Sequence, residues 1–496
     1  MIRAYATLEQ FCKAQQQQQQ QQQQQDKKAL YGEVKTPFPF VAEVLSVIPD
    51  DAFQDPMLRW LDPGAGTGNF SIVLYFRLMA GLTQAIPVMV ERSDHILSQM
   101  IHLVELQPEN VATLKAIFGP TANIREGDFL GEKEGSGIAF FDIVIGNPPF
   151  NQNGLKKVPT NLKTPKSHDG QTVWHRFVRK SVAWLKPTTG RLCVFIPSIW
   201  LKPDKEGMYE FLTGHHIQHL NCMSNTATNR IFGGNAQTPS CYFLLTKRPS
   251  TGVISVFDAD QNRYVEYRLT KGAPIPVSGQ AIVQRLQPYL DKATATAKAT
   301  AKATAKATAK ATATAKATAT VQVTKTNMPS KKVKISAVRS DEYKYANIST
   351  CRLNRLTPEL IINYSNKPLA FAGIPKLVLA HKMYGFPYLD LSGEYGISNR
   401  DSYVIVKEHP EDLVKLQRFL STKTALYLFE ATRYRMKYLE RYAFQLIPDI
   451  TLIPEFFLNN EINDATIAEA FGFSELDRQN IQRLHLKNYV FFTPLV

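Results

Sequence analysis

The stretch Phe141-Asp142-Ile143-Val144-Ile145-Gly146-Asn147-Pro148-Pro149-Phe150 constrains this 496-residue chain more than any other. An acid opens a run of β-branched apolar residues too short for a helix, and a glycine and two prolines close it. Proline cannot continue a ladder, so the run reads as a buried parallel strand that stops at Gly146. In an open α/β sheet, ligands sit beyond the carboxyl ends of the strands. The residues placed there combine a primary amide, a rigid kink and an aromatic ring. Asn147 and the Pro148 carbonyl can each accept a hydrogen bond from an amino group, and Phe150 can stack on a flat ring. The same tetrapeptide also fits a plain strand-ending turn, with Asn147 capping backbone and Phe150 in the core.

Upstream, Trp60-Leu61-Asp62-Pro63-Gly64-Ala65-Gly66-Thr67-Gly68-Asn69-Phe70 reads as a strand end, a glycine-dense turn and the start of a helix from Phe70 to Met79. Glycines let backbone approach a ligand closely, and the amides at the next helix start face it. No Gly-Lys-Ser/Thr follows, so a phosphate loop is disfavoured and a nucleoside-type cofactor is favoured. Ile101-His102-Leu103-Val104-Glu105 is a second strand pattern ending in a carboxylate suited to ribose hydroxyls. Its distance from the glycines exceeds the ~20 residues usual for a dinucleotide fingerprint, which implies a longer connection over Gly81 to Asp94. After a helical pattern from Glu109 to Phe118, Asn123 to Phe129 reads as another strand. Its Asp128 can accept a hydrogen bond from an exocyclic adenine amine.

This series resembles the S-adenosylmethionine-dependent amino-methyltransferases that act on DNA adenine, in the gamma arrangement of restriction-modification enzymes. There the glycine motif precedes the Asn-Pro-Pro-aromatic motif, and target recognition lies C-terminal. The resemblance assigns Asp62, Gly64, Gly66, Gly68 and Phe70 to the cofactor loop, Glu105 to ribose and Asp128 to the cofactor adenine. It assigns catalysis to Asn147, Pro148, Pro149 and Phe150, with phenylalanine where tyrosine is commoner. Gly32-Glu33-Val34-Lys35-Thr36-Pro37 is similar to the family's N-terminal cofactor motif, with Lys35 where an aromatic is usual, and Thr36 is the cofactor contact it implies. The likeness continues through a helix from Thr172 to Leu185, a strand from Arg191 to Pro197 and closing strands over Gly233 to Leu245. Trp174 and Phe232 are expected in the aromatic core rather than in a target pocket.

The fold class implied is α/β: a Rossmann-like methyltransferase domain with a central, mostly parallel sheet, followed by a C-terminal α+β target-recognition domain. Residues 1–25, including the glutamine run Gln15 to Gln25, are expected to form a disordered or weakly helical tail. The catalytic domain is expected over 26–250 and the recognition domain over 251–496. Val253–Phe257 and Arg263–Leu269 read as strands, and Gln280–Leu290 as a helix. Lys292 to Thr320 repeats Ala, Thr and Lys, cannot bury apolar surface, and reads as a mobile basic insert.

Composition narrows the partners. A net charge of +15 favours an anionic partner, nucleic acid first. Basic residues interleaved with rings, as in Lys382 to Phe386 and Arg433 to Tyr438, suit phosphates and base edges. An ordinary basic α+β surface accounts for the same pattern. No apolar run reaches the span of a membrane helix, and no secretion signal opens the chain. The five cysteines lie apart with no Cys-x-x-Cys, so neither a zinc site nor a disulfide frame is expected.

The resemblance implies transfer of a methyl group from S-adenosylmethionine to N6 of an adenine flipped out of duplex DNA, with no metal required. No Pro-Cys pair occurs, which argues against the cysteine route to 5-methylcytosine. Cytosine N4, a guanine amine of ribosomal RNA and protein glutamine remain open as acceptors, as does a DNA-binding protein that lost catalysis. A monomer on double-stranded DNA inside the cell is expected, with room for a separate cognate endonuclease. The low-complexity tracts point toward a eukaryotic or large-virus genome.

Overall fold

The computed structural model describes residues 1–19, 35–131, 140–152, 171–204, 206–234, 236, 238–307, 319–352, 359–381, 387–434, 439–456 and 461–484. The chain divides into two compact units: Met1–Trp200 with Asp204–Phe257, and Leu201–Pro203 with Asp258–Val496.

The first unit is built on a sheet. Its strands are β1 (Trp60–Asp62), β2 (Ile101–Glu105), β3 (Asn123–Glu126), β4 (Ile143–Gly146), β5 (Arg191–Pro197), β6 (His215–Met223), β7 (Ser240–Pro249) and β8 (Val253–Asp258). They lie in the order β3-β2-β1-β4-β5-β7-β6-β8. The pairs β3/β2, β2/β1, β1/β4 and β4/β5 are parallel, whereas β7 runs antiparallel to both β5 and β6. All four residues of β4 are buried, as are six of the seven in β5, because both faces of a central parallel strand are covered. The chain order reverses between β1 and β4, so the crevice for ligands opens at their carboxyl ends. This is the Rossmann-like α/β architecture that the resemblance implies.

Helix α1 (Leu8–Gln19), α2 (Phe38–Leu45), α3 (Asn69–Gly81), α4 (Met89–His95) and α5 (Pro108–Phe118) precede β4, and α6 (Trp174–Trp184) follows it. Helix α3 buries Phe70, Ile72, Val73, Leu74, Tyr75 and Phe76 in one continuous core with Trp60, Ile101, Ile143 and Phe195. A helix apolar on nearly every side can sit only inside the fold. Among the described residues, no helix is long and apolar enough to cross a membrane.

Several expectations change. Of the two forms expected for the N-terminal tail, the helical one holds over Leu8–Gln19, and the segment is packed rather than loose: Ile2 and Phe11 are 0% and 1% exposed, and Phe11 packs edge-on against Tyr5 and Phe38. Burying those apolar anchors offsets the entropy of ordering the segment. The expected connection over Gly81 to Asp94 is present, with α4 and a π turn over Ile96–Met100 between the glycine loop and β2. Strand β3 stops at Glu126, and Gly127 at φ 159° turns the chain so that Asp128 lies past the strand. Strand β6 has no counterpart in the sequence reading. Every third residue of it is buried, Ile217, Leu220 and Met223, a spacing foreign to the alternation that marks strands.

The second unit is α+β and contains β9 (Arg263–Arg268), the strand expected over Arg263–Leu269. One sheet has the order β10 (Thr324–Lys325), β17 (Ser402–Ile405), β14 (Lys376–Ala380), β15 (Tyr388–Asp390), and the other β11 (Ile335–Ser336), β13 (Glu359–Ser365), β12 (Tyr345–Arg352), β16 (Gly396–Ile397). Ile348, Val378, Ile397 and Val404 form a buried core drawn from both sheets. The expected helix at Gln280 continues to Ala307, so the first part of the Ala/Thr/Lys tract is helical backbone rather than a structureless insert. Alanine and lysine are strong helix formers and extend a helix already started. Two further helices, Asp464–Ala470 and Glu475–Gln482, are separated by a turn in which Gly472 takes a φ of 62°. Gln20 to Val34, 308–318, Lys382 to Phe386 and 435–438, all named in the sequence reading, lie outside the described residues.

Candidate active site

Because β3, β2, β1 and β4 are parallel neighbours, their carboxyl ends line one edge of the sheet. That edge gathers Asp128, Glu105, the loop from Asp62 to Gly68, and Asn147 to Phe150.

Asp62 ends β1 almost fully buried, at 3% exposure. Its Oδ2 accepts a hydrogen bond from Ser71 Oγ at 3.0 Å. Burial pushes its carboxyl up to about 7; the Ser71 hydroxyl and the Gly64 amide pull it back, and the nearby Glu105 charge adds to the rise. A Cβ on Gly146, at φ 144°, would stand 3.0 Å from Asp62 Oδ1, so glycine lets β4 pass this carboxylate without strain.

The loop then closes on itself and on β2. Gly68 donates its amide to Ala65 O at 2.8 Å, and Ala65 donates to Val104 O at 3.1 Å. Gly66 donates its amide to Glu105 Oε2, and Gln107 donates to Glu105 Oε1, each at 2.8 Å. Glu105 is therefore a buried brace for the loop, with a second lone pair on each oxygen left to receive hydroxyls. Gly68, at φ 91°, caps α3, and a Cβ there would lie 2.8 Å from Leu114 Cδ2. Phe70 sits inside the core at 4% exposure. Asp128 is exposed, its Oδ1 accepting the Leu130 amide at 2.9 Å. The adjacent Phe129 is buried, stacking on Phe177 with centroids 5.6 Å apart.

The Asn-Pro-Pro-Phe segment abuts this loop: a Cβ on Gly64 would lie 3.6 Å from Pro149 Cδ. Pro148 is buried, Pro149 exposed, and Asn147 and Phe150 half-buried. Phe150 leans on Phe195, with centroids 6.1 Å apart. Phe232 and Trp174 are core, at 5% and 4% exposure. Asn147 donates Nδ2 to Thr36 Oγ1 at 3.1 Å, and Asn69 donates Nδ2 to Thr36 O at 2.7 Å. Thr36, 5% exposed, thus joins the glycine loop to the Asn-Pro-Pro-Phe segment. Sequence reasoning placed Thr36 only against the cofactor and assigned no role to Asn69, Ser71 or Gln107.

The donor set fits a cationic nucleoside. A buried Asp62 carboxylate held short of a counter-charge suits a positively charged group, Glu105 suits hydroxyls, and the glycine backbone leaves room for close approach. Among the described residues no group of His, Cys, Asp and Glu could hold a metal ion. A groove of about 780 Å³ lined by Arg59, His102, Arg125, Phe141 and Trp184 contains none of these site residues.

The strand order defines a Rossmann-like α/β unit. Residues 92–229 match the family model described as Eco57I restriction-modification methylase, a stretch that includes Glu105, Asp128 and Asn147 to Phe150. The matched stretch falls almost wholly in the first unit. No curated protein matches the chain. Among solved structures it is similar to the type I methyltransferase subunit from Streptococcus thermophilus: 18% identity, TM-score 0.33, over 47% of this chain and 49% of that one. It is also similar to the M protein of the type I restriction enzyme EcoKI, with 18% identity and TM-score 0.34, over 46% and 48%. A third is the type ISP enzyme LlaBIII bound to DNA, with 13% identity and TM-score 0.38, over 49% and 22%. The chain spans about half the length of the type I subunits it matches.

Proposed function

We propose that this protein transfers a methyl group from S-adenosylmethionine to the N6 amine of a flipped-out adenine in duplex DNA. The observation that carries the reading is the meeting of two motifs at one sheet edge, the glycine loop with Glu105 and the Asn147 to Phe150 segment, with Gly64 beside Pro149. Asp62, Gly66, Gly68, Glu105 and Asp128 would hold the cofactor, which supplies an electrophilic methyl on a sulfonium.

The chain's own residues then act on the acceptor. An exocyclic amine is a poor nucleophile because its lone pair is delocalised into the ring. Hydrogen bonds donated by the amine to Asn147 Oδ1 and to the Pro148 carbonyl localise that pair on nitrogen, which takes the methyl and sheds a proton. Phe150 stacks on the extrahelical base. No covalent intermediate with the protein is needed, so positioning provides most of the acceleration. The second unit recognises the DNA target, in keeping with the net charge of +15, and a separate endonuclease can share that target.

The test is incubation of the full chain with labelled S-adenosylmethionine and unmethylated duplex DNA, comparing wild type with Asn147→Ala, followed by nucleoside mass analysis. Labelled N6-methyldeoxyadenosine that disappears in the variant supports the reading. Label in N4-methyldeoxycytidine, RNA or protein replaces the acceptor, and no transfer to anything replaces the enzyme with a binding protein.

A further inference from the structure

We infer that Thr36 is a positioning residue for Asn147: its hydroxyl accepts the Asn147 amide N–H and so leaves the carbonyl oxygen of that amide as the group offered to the substrate amine. The inference rests on the methyl-transfer reading above.

A primary amide has two ends of opposite character and similar shape. An amine about to be methylated brings N–H donors, so only Oδ1 can receive it; Nδ2 turned toward it would set donor against donor. A half-buried amide needs a partner on its far side that takes Nδ2. Thr36 Oγ1 is that partner, at 3.1 Å, on a side chain 5% exposed. Thr36 is itself held. Its carbonyl accepts Asn69 Nδ2 at 2.7 Å, and Thr67 Oγ1 donates to Asn69 Oδ1 at 3.3 Å. Pro37 fixes the backbone on its other side as the N-cap of α2, where Pro37 O accepts the Val41 amide at 2.9 Å. A β-branched side chain on such a backbone has few rotamers. The hydroxyl oxygen is therefore held in place within reach of Asn147 Nδ2 rather than on a mobile surface group, and a loop that grips the cofactor is tied through Asn69 and Thr36 to the group that grips the base.

The test compares Thr36→Ser, Thr36→Ala and Thr36→Val with wild type in the full chain. Two measurements are made: kcat for methyl transfer to duplex DNA at saturating cofactor, and the Kd for S-adenosylhomocysteine by calorimetry. Serine and alanine differ only by the hydroxyl, and threonine and valine differ by hydroxyl against methyl, so the comparison survives if one variant fails to fold. The expected result is kcat near wild type for Thr36→Ser and reduced about tenfold or more for Thr36→Ala and Thr36→Val, with Kd little changed throughout. Three results overturn the inference: Thr36→Ser falling with Thr36→Ala, equal kcat in all four proteins, or loss of S-adenosylhomocysteine affinity at unchanged kcat. The last would make Thr36 a cofactor contact only. Wild type that methylates no DNA removes the reading and the inference together; wild type that methylates while the hydroxyl proves irrelevant removes the inference alone.

Discussion

Gly66 donates its backbone amide to the Glu105 carboxylate at 2.8 Å, tying the middle of the glycine loop to the end of the neighbouring strand. The other oxygen of Glu105 takes the Gln107 amide at 2.8 Å, so one buried side chain holds two backbone segments. Glu105→Ala leaves both amides without that partner. Urea unfolding should show a less stable protein, since each stranded donor costs about 1–3 kcal/mol. Calorimetry with S-adenosylhomocysteine should show affinity reduced about tenfold or more because the ligand hydroxyls lose their acceptor. Glu105→Gln, which keeps an acceptor oxygen for one of the two amides, should lose less than the alanine variant.

Asp62 makes the first unit pH-sensitive. Its carboxyl rises from an ordinary 3.8 to about 7, burial being the main cause. Between those values the folded chain keeps a proton that the unfolded chain has lost, so this group makes stability fall as pH rises through that window and adds no slope above it. The full penalty is roughly 3–5 kcal/mol. Urea unfolding of the first unit at pH 5 and pH 8 should show wild type gaining less stability over this range than Asp62→Asn, which lacks the titration. An equal change in both proteins would count against a buried, proton-retaining Asp62.

Gly68→Ala tests the cradle. The residue sits at φ 91°, and its new Cβ would meet Leu114 Cδ2 at 2.8 Å and Phe118 Cε2 at 3.2 Å. Backbone strain of about 1–3 kcal/mol is expected as a lower unfolding midpoint, with weaker S-adenosylhomocysteine binding because α3 must shift away from α5. A variant as stable as wild type would show that the turn relaxes freely.

In the second unit, Lys376 and Asp390 form an ion pair at 2.5 Å with side chains 0% and 1% exposed. Burial pushes the Lys376 ammonium down, and Asp390 pulls it back. Asp390 also accepts the Glu394 and Tyr395 amides, so the pair holds the chain after β15. Lys376→Met should cost about 3–5 kcal/mol by leaving a buried carboxylate without its cation, read as earlier unfolding of this unit. Lys376→Met with Asp390→Leu should cost less than Lys376→Met alone, and S-adenosylhomocysteine affinity should be unchanged in both.

Strand β4, the glycine turn after β1 and the acid closing β2 were legible in the chain because each is a local signal. A short β-branched run stopped by proline has one comfortable conformation, and a cluster of glycines before an apolar helix marks a tight strand-to-helix turn. The Rossmann-like class follows from their order. Signals without local form were lost: β6 is buried at every third residue, and nothing beside Phe11 in the chain marks the core that Phe38 and Phe76 build around it.

What the sequence by itself determined is therefore the set of elements and the chemical groups at their ends, from Asp62 to Phe150. Only the tertiary structure decided which of those groups touch. Gly66 meets Glu105 across 39 positions, and Asn147 meets Thr36 across 111. Such pairings come from parallel strands stacking side by side and from a buried amide needing a partner, and neither leaves a mark in the neighbouring residues.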